Sequence, residues 1–301
     1  MGDRLFILLQ YLLPHHFLSR IVHALTRSRS RWLKDALIGA FVRHFRPEMR
    51  DALQPDPHRY ASFNEFFTRA LAPDARPLDT DPDIVVSPVD GSVSQIGYLD
   101  GTTLVQAKGR TYDLDALLAG GRWVRRFEGG AFATLYLAPY NYHRIHMPCR
   151  GALTTARYVP GRLFSVNAQT ASAVPGLFAR NERVICGFAA HAAAAGAIPA
   201  APDFVLILVG ALFVGSMTTL WHGDITPTRT RTARDLSAPL ARASQGTGAA
   251  ELSKGEEMGR FNMGSTVILL YPRDVLAWLP ALGPGARIRM GQALGRLRGP
   301  W

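Results

Sequence analysis

The chain is short of cysteine, lysine and acidic residues, and it has no long apolar run. Two cysteines, Cys149 and Cys186, are too few for a disulfide-stapled secreted scaffold or a four-cysteine zinc module, so a reducing compartment is expected. Lys34, Lys108 and Lys254 are the only lysines, which leaves three candidates for any chemistry that needs one. With 23 Asp+Glu against 34 Lys+Arg the formal charge is +11, and such an excess suits an anionic partner: nucleic acid, an anionic membrane or a phosphorylated substrate. No segment reaches the roughly 18 apolar residues needed to span a bilayer. The longest, residues 204–214, reads as a buried strand. The apolar stretch 5–13 is short, Asp3 and Arg4 leave no positive n-region, and no small-x-small cleavage site follows, so no removable signal peptide is expected. What is present is ample core material: 301 residues, 48% hydrophobic, with a mean hydropathy of +0.03, too apolar for a disordered chain.

The first 50 residues carry nine Lys/Arg and three Asp/Glu, a net of 9 − 3 = +6 and more than half of the excess charge. Apolar residues recur there at helical spacing: Leu5, Leu8, Leu9 and Leu12, then Phe17, Leu18, Ile21, Val22 and Leu25 after Pro14. A further set, Trp32, Leu33, Leu37, Ile38, Phe41, Val42 and Phe45, follows Arg27, Arg29 and Arg31. Basic amphipathic helices of this kind suit a membrane interface; they also suit a hairpin packed on the protein's own core. The concentration of charge favours the membrane. Ser62-Phe63-Asn64-Glu65 reads as a capping box opening a helix to about residue 71. Beyond the Pro/Asp-rich stretch 73–83, β-type runs dominate at 84–86, 92–99, 132–137, 153–159, 183–188, 204–219, 266–271 and 287–297. Short helices are expected at 113–119, stopped by Gly120, and at 274–279. The alanine-rich stretch 189–201 reads as a loose connection and 224–250 as a mobile loop. The expectation is an α+β chain: a predominantly antiparallel β core with short helices, residues 73–301, preceded by an amphipathic helical region, 1–72.

Four segments could carry chemistry. In Ser87-Pro88-Val89-Asp90-Gly91 a carboxylate sits in a tight turn between strands, where Asp before Gly is most often only a turn former. In Tyr140-Asn141-Tyr142-His143-Arg144-Ile145-His146-Met147-Pro148-Cys149 two histidines lie three apart. The glutamate of the zinc-protease helix is missing and no carboxylate lies in the segment, so acid–base roles or structural histidines are favoured over metal ligation. Lys254-Gly255-Glu256-Glu257-Met258-Gly259-Arg260-Phe261-Asn262-Met263-Gly264-Ser265-Thr266 is a glycine-rich polar loop running into a strand, with a serine at the joint. Asn181-Glu182-Arg183 is a charged step into a strand and fits a solvated edge. Together, Asp90, His146 and Ser265 supply an orienting carboxylate, a base and a nucleophile. A serine that follows glycine has a further option: its hydroxyl can attack the carbonyl of the residue before it, because glycine permits the bent geometry required.

Several segments, spread over nearly the whole chain, form one recognisable pattern. They are Leu9-Gln10-Tyr11 with Leu13-Pro14, Phe63-Asn64-Glu65-Phe66-Phe67, Gln106-Ala107-Lys108-Gly109 and Tyr142-His143-Arg144-Ile145-His146-Met147-Pro148. To these add Pro160-Gly161 with Leu163-Phe164-Ser165-Val166-Asn167, then Phe178-Ala179-Arg180-Asn181-Glu182-Arg183-Val184. The last is Lys254-Gly255 with Glu257-Met258-Gly259-Arg260-Phe261, leading to Gly264-Ser265-Thr266, and together these segments resemble those of the bacterial, membrane-associated phosphatidylserine decarboxylases. The family's usual Leu-Gly-Ser-Thr stands here as Met263-Gly264-Ser265-Thr266, a change that keeps volume and polarity.

The resemblance implies a pyruvoyl enzyme that makes its own cofactor. His146, oriented by Asp90, activates Ser265; the chain cuts itself between Gly264 and Ser265 into 1–264 and 265–301, which stay together as a heterodimer. The modified Ser265 becomes a covalent pyruvoyl group that forms a Schiff base with phosphatidylserine, with His143 as candidate proton donor and His146 as its rival, and phosphatidylethanolamine is released. No metal is implied. The basic helices would dock the core on an anionic membrane, and the absence of a targeting extension before Leu5 favours the cytoplasmic face of the inner membrane. Other classes fit less well. A serine hydrolase would use Asp90, His146 and Ser265 without cutting itself. The strand-turn texture around Val86–Val93 is similar to biotinyl or lipoyl carriers, but no lysine lies where a carrier displays one. A nucleic-acid binder would hold its cations apart from large apolar faces.

Overall fold

The structure, a computed structural model, describes residues 7–8, 10–120, 123–190, 202–212, 216–226, 232–237, 251–263 and 265–298. Most of the stretches read as loose connection and mobile loop, 191–201 and 238–250, lie outside these residues, as do Leu5, Leu9 and Gly264. Helical residues at 7–8 and 10–12 precede α1 (His15–Thr26) and α2 (Arg31–Phe45), which are followed by α3 (Phe63–Phe67). Ser62 caps α3 through Glu65 N at 3.1 Å, while the Glu65 carboxylate reaches back to Ala61 N at 3.1 Å. This helix ends at Phe67 rather than near 71, because Leu53 and Ala72 N–H groups pair residues 51–53 with 70–72 and pull the chain straight.

The strands that follow are β1 (Ile84–Val86), β2 (Gly91–Tyr98), β3 (Thr103–Ala107), β4 (Arg110–Asp113), β5 (Ala131–Tyr136) and β6 (Arg144–His146). Next come β7 (Gly151–Val159), β8 (Arg183–Ala189), β9 (Phe204–Val209), β10 (Met217–Thr219), β11 (Gly223–Ile225) and β12 (Arg234–Asp235). The chain closes with β13 (Glu251–Leu252), β14 (Glu257–Phe261), β15 (Thr266–Tyr271), β16 (Leu276–Trp278), β17 (Arg287–Ile288) and β18 (Ala293–Leu297). A nine-stranded sheet runs β12-β7-β8-β9-β15-β5-β2-β17 with β13 also on β7, and a four-stranded sheet runs β11-β10-β14-β6. Among the described residues every pairing between strands is antiparallel, so the α+β expectation describes the fold. The run 204–219 is two strands, not one, and 287–297 divides likewise. Residues 274–279 form no helix: Leu276 pairs with Leu297 and Trp278 with Gly295, and ladder bonds to β18 outweigh a weak local helical preference.

The central strands β8, β9 and β15 are buried along their whole length. Their alternate side chains enter two different cores: Val267, Leu269 and Tyr271 face one with Phe204, Leu206 and Phe188, while Ile268 and Leu270 face the other with Val205, Ile207 and Phe178. A strand covered on both faces needs no polar alternation, which is why these segments read as continuous apolar runs. All six residues of β15 pair with β5 and five of them with β9, so this strand is held from both sides by backbone bonds.

This sheet aligns the segments of interest. β5 lies between β2 and β15, with Tyr136 opposite both Ser92 and Thr266. Asp90 therefore precedes one neighbour of β5 and Ser265 the other, at the same end of the sheet, two strand spacings or about 10 Å apart. β5 then turns through 138–143 into β6, which carries His146. At Gly91 the sheet is close-fitting: a β-carbon there would overlap the Tyr136 carbonyl oxygen, which belongs to the backbone and cannot step aside. Gly91→Ala is expected to destabilise the fold by about 2–4 kcal/mol, read as a lowered urea midpoint; an unchanged midpoint would show that β2 and β5 are not packed this closely.

Candidate active site

Ser265 is fully buried at the head of β15. Its carbonyl accepts from Leu137 N at 2.9 Å, while its Oγ has no hydrogen-bond partner. An orphaned buried hydroxyl costs free energy and is worth an explanation. The residues on the other side of position 264 are also anchored. Asn262 donates from Nδ2 to Ser216 Oγ at 2.6 Å and to Thr218 Oγ1 at 3.1 Å, its carbonyl accepts from Asn64 Nδ2 at 3.3 Å, and Phe261 N–H donates to His143 O at 3.0 Å. Met263 packs against the aromatic cluster of Phe41, Phe63, Phe66 and Phe67. The sequence motif thus lies between two fixed segments.

His143, on the turn before β6, is completely buried. Its Nδ1 donates to Asn141 O at 2.8 Å, its ring lies against Phe67 with centroids 4.1 Å apart, and its Nε2 has no partner. Because a carbonyl can only accept, Nδ1 carries the proton and Nε2 is a bare lone pair in the neutral ring. Burial, with the Arg69 charge adding to it, lowers this pKa to about 3. The unfolded ring takes a proton near 6.5, so as pH falls the unfolded chain binds a proton that the folded chain refuses, and stability is lost from pH 6.5 down to about 3. Between pH 6.5 and 5 this ring alone is expected to remove about 2 kcal/mol from the uncut Ser265→Ala chain. Urea titrations at the two pH values check this, and adding His143→Asn should flatten the slope by one proton; an unaltered slope would contradict the burial.

His146, at the end of β6, is held from two sides. Nδ1 donates to Gly255 O at 2.8 Å and Nε2 lies 2.8 Å from the Tyr142 hydroxyl. With Nδ1 protonated, Nε2 is the accepting nitrogen and Tyr142 donates to it. Gly255 presents its carbonyl from a turn at φ 79°, a backbone conformation that favours glycine. Burial lowers the His146 pKa, while Gly255, Glu257 and Asp90 oppose the fall. The ring is therefore a neutral base near pH 7.

The Asp90 carboxylate is taken by other groups. Arg76 grips it with Nη2 at 2.6 Å and Nε at 3.0 Å, and Met290 N–H donates to it at 2.8 Å. His146 N–H donates to Pro88 O, two residues from Asp90, so the two segments are neighbours. Among the described residues, however, no hydrogen bond joins the Asp90 carboxylate to the His146 ring: the orienting contact expected from Asp90 is made by Gly255, because Arg76 offers a two-pronged charged donor that an imidazole cannot match. Asp90 acts on His146 only as a nearby negative charge. Sequence reasoning missed Arg76 and Arg69, and it gave no role to Glu257 of the glycine-rich segment, which pairs with Arg144 at 2.8 Å and Arg260 at 3.0 Å. Arg69 lies two residues beyond the Phe-rich segment quoted above, and that nearness is the one signal that pointed to it.

Asn181-Glu182-Arg183 is not a solvated edge. All three are buried. Arg183 donates to Leu117 O and Ala116 O, both at 2.7 Å, Asn181 bridges Phe164 and Gly210, and Glu182 accepts from Tyr158 at 3.1 Å with its pKa raised to about 8 by burial. This is a polar staple between segments.

The family model described as phosphatidylserine decarboxylase matches residues 63–296, and a second, described as PSD, matches 5–46. Proteins named phosphatidylserine decarboxylase proenzyme resemble the chain along nearly its full length. That of Methylococcus capsulatus is 45% identical over 298 residues, covering 98% of this chain and 97% of its own. That of Stutzerimonas stutzeri is 46% identical over 297 residues, covering 98% and 95%. That of Dechloromonas aromatica is 47% identical over 296 residues, covering 98% and 99%.

Proposed function

Because the chain belongs to the phosphatidylserine decarboxylase family, a family of decarboxylases, we propose that it cuts itself at Gly264-Ser265 and then converts phosphatidylserine to phosphatidylethanolamine with a pyruvoyl group made from Ser265. The observation that carries this is the Ser265 hydroxyl: buried, unpartnered and directly after a glycine. It fits a group that must be enclosed and not already satisfied by a hydrogen bond.

In processing, His146 takes the hydroxyl proton and Oγ attacks the Gly264 carbonyl carbon. The Ser265 nitrogen leaves that carbon as an amine, which converts the amide to an ester. Loss of the Ser265 Cα proton then expels the Gly264 carboxylate as the new chain end, and water replaces the nitrogen, which departs as ammonia. Asp90 and Glu257 stabilise the imidazolium that His146 becomes. The 1–264 and 265–301 pieces remain one heterodimer because β15 keeps both of its neighbours.

The ketone so formed supplies an electron sink for the pair left behind when CO2 departs. The proton returned to the head-group carbon passes through His143 Nε2, bare at rest, with His146 as its rival. The buried surroundings of Ser265 and His143 favour loss of the charged carboxylate as neutral CO2.

The lipid substrate accounts for α1, which turns His15, Ser19 and Thr26 inward while Phe17, Ile21 and Leu25 stay exposed. Leu12 and Trp32 beside it are 71% and 75% exposed. No helix among the described residues is long and apolar enough to cross a membrane. The reading is peripheral docking on an anionic surface at the cytoplasmic face of the membrane. An apolar hollow of about 360 Å3, lined by Val22, Leu37, Phe41, Phe63 and Met263, opens between α1 and α2 one residue from Gly264.

The test is CO2 release from phosphatidylserine vesicles before and after borohydride or hydroxylamine. Loss of activity on treatment supports a ketone. Full activity afterwards, with one intact chain labelled by a serine-directed phosphonate, would favour a hydrolase instead.

A further inference from the structure

Arg69 is buried to 3% exposure, yet it is poorly compensated. Nη2 donates to Tyr140 O at 3.2 Å and the guanidinium lies 5.9 Å from the centre of the Phe66 ring, but Nε and Nη1 have no partner. A buried cation without a directly paired carboxylate is costly, and such a group suits an anionic ligand. Arg69 lines a cavity of about 600 Å3 that also takes in Arg46, Arg76, Arg287, Arg289, Asp90 and Glu48. The two carboxylates are already engaged, Asp90 by Arg76 and Glu48 by Arg289 and Arg50. Among the described residues no ion pair involves Arg46, Arg69 or Arg287, so the cavity holds an unspent positive charge. Its wall includes Tyr136, opposite Thr266, and Ala138, next to the residue that binds Ser265 O.

Resting on the decarboxylase reading above, we propose that this cavity is the phosphodiester subsite, in which Arg69 at the wall and Arg287 and Arg46 at the mouth hold the phosphate oxygens of the lipid head group. The substrate carries a second anion, the carboxylate that must leave. A guanidinium bonded to that group would stabilise the charged ground state more than the transition state and slow the reaction. The phosphodiester keeps its charge throughout, so pairing with it costs the chemical step nothing and appears in substrate binding.

The subsite is tested on the processed enzyme with phosphatidylserine vesicles, with inorganic phosphate and sn-glycero-3-phosphoserine as competitors. Arg69→Gln is expected to raise KM about 10- to 100-fold with kcat within about 3-fold, and Arg69→Lys to fall between it and wild type. A purely structural Arg69, holding the turn that carries His143 through Tyr140, would lower kcat instead and leave competition by phosphate unaltered; that outcome overturns the proposal. If Arg69→Gln fails to process, exposed Arg287→Gln decides: a KM raised about 3-fold or more with weakened phosphate inhibition supports the subsite, and unchanged values overturn it. Glycerophosphoserine competing better than inorganic phosphate assigns the site to the head group, whereas the reverse order assigns it to free phosphate. A wild type that neither cuts itself nor releases CO2 refutes the decarboxylase reading; an active wild type with KM indifferent to both arginines refutes the subsite alone.

Discussion

Ser265→Ala is expected to leave a single uncut chain of 301 residues without decarboxylase activity. On the proposed mechanism the serine does two things in sequence, breaking the backbone and becoming the reactive group, and alanine can do neither. The loss is therefore total in kind, at least about four orders of magnitude in CO2 release, the scale reached when an enzyme's nucleophile is removed. The substitution should leave the fold intact, since Oγ has no partner to lose and β15 keeps its pairings to β5 and β9. A denaturing gel and a CO2 assay check both halves. A Ser265→Ala chain that still splits, or that still turns over, removes the basis of the account.

His146→Ala is expected to give the next largest effect, a fall of about 10^2- to 10^4-fold in the rate of self-cutting, the contribution of a positioned general base. Gly255 holds Nδ1 as the donor and so leaves Nε2 free to accept a proton. The pKa is lowered, so the sign is clear: the basic form dominates at pH 7, and cutting should slow only as pH falls well below 6.5. Asp90→Asn, which removes a nearby charge but no contact to the ring, should slow cutting less. Time courses of fragment appearance from pH 5 to 8 test these points. A His146→Ala chain that cuts at the wild-type rate would assign the base elsewhere.

The parts of the molecule that could be read from sequence are those where local chemistry and environment agree. Residues 266–271 and 183–188 are strands because they are apolar on both faces, and both faces are covered. Helix 113–119 was legible because Asp113 caps it and Ala119 closes it in a left-handed turn before Gly120. β6 and β14 were not legible, because Arg144, Glu257 and Arg260 carry charges that satisfy one another across the strands rather than an apolar alternation. In the site, residue types announced Ser265, His146, His143 and Asp90, but not what holds them. Gly255 lies 109 residues from His146 and Arg76 lies 14 from Asp90, and such pairings are set by the fold. Several segments that carry the family resemblance prove to be fastenings: Gln10 accepts from Ser165 N at 2.7 Å, and Gln106 donates to Ala171 O and Val174 O at 2.6 and 2.8 Å.

The central claim is that a serine hydroxyl buried behind a glycine is exchanged for a ketone at the cost of one peptide bond. The intact mass of the purified, active protein tests it most directly. The account expects two species, with a fragment of 301 − 264 = 37 residues that is about 17 Da lighter than the same peptide with a free amino-terminal serine, the mass of one ammonia. A single species of full-length mass in a preparation that releases CO2 from phosphatidylserine would contradict it.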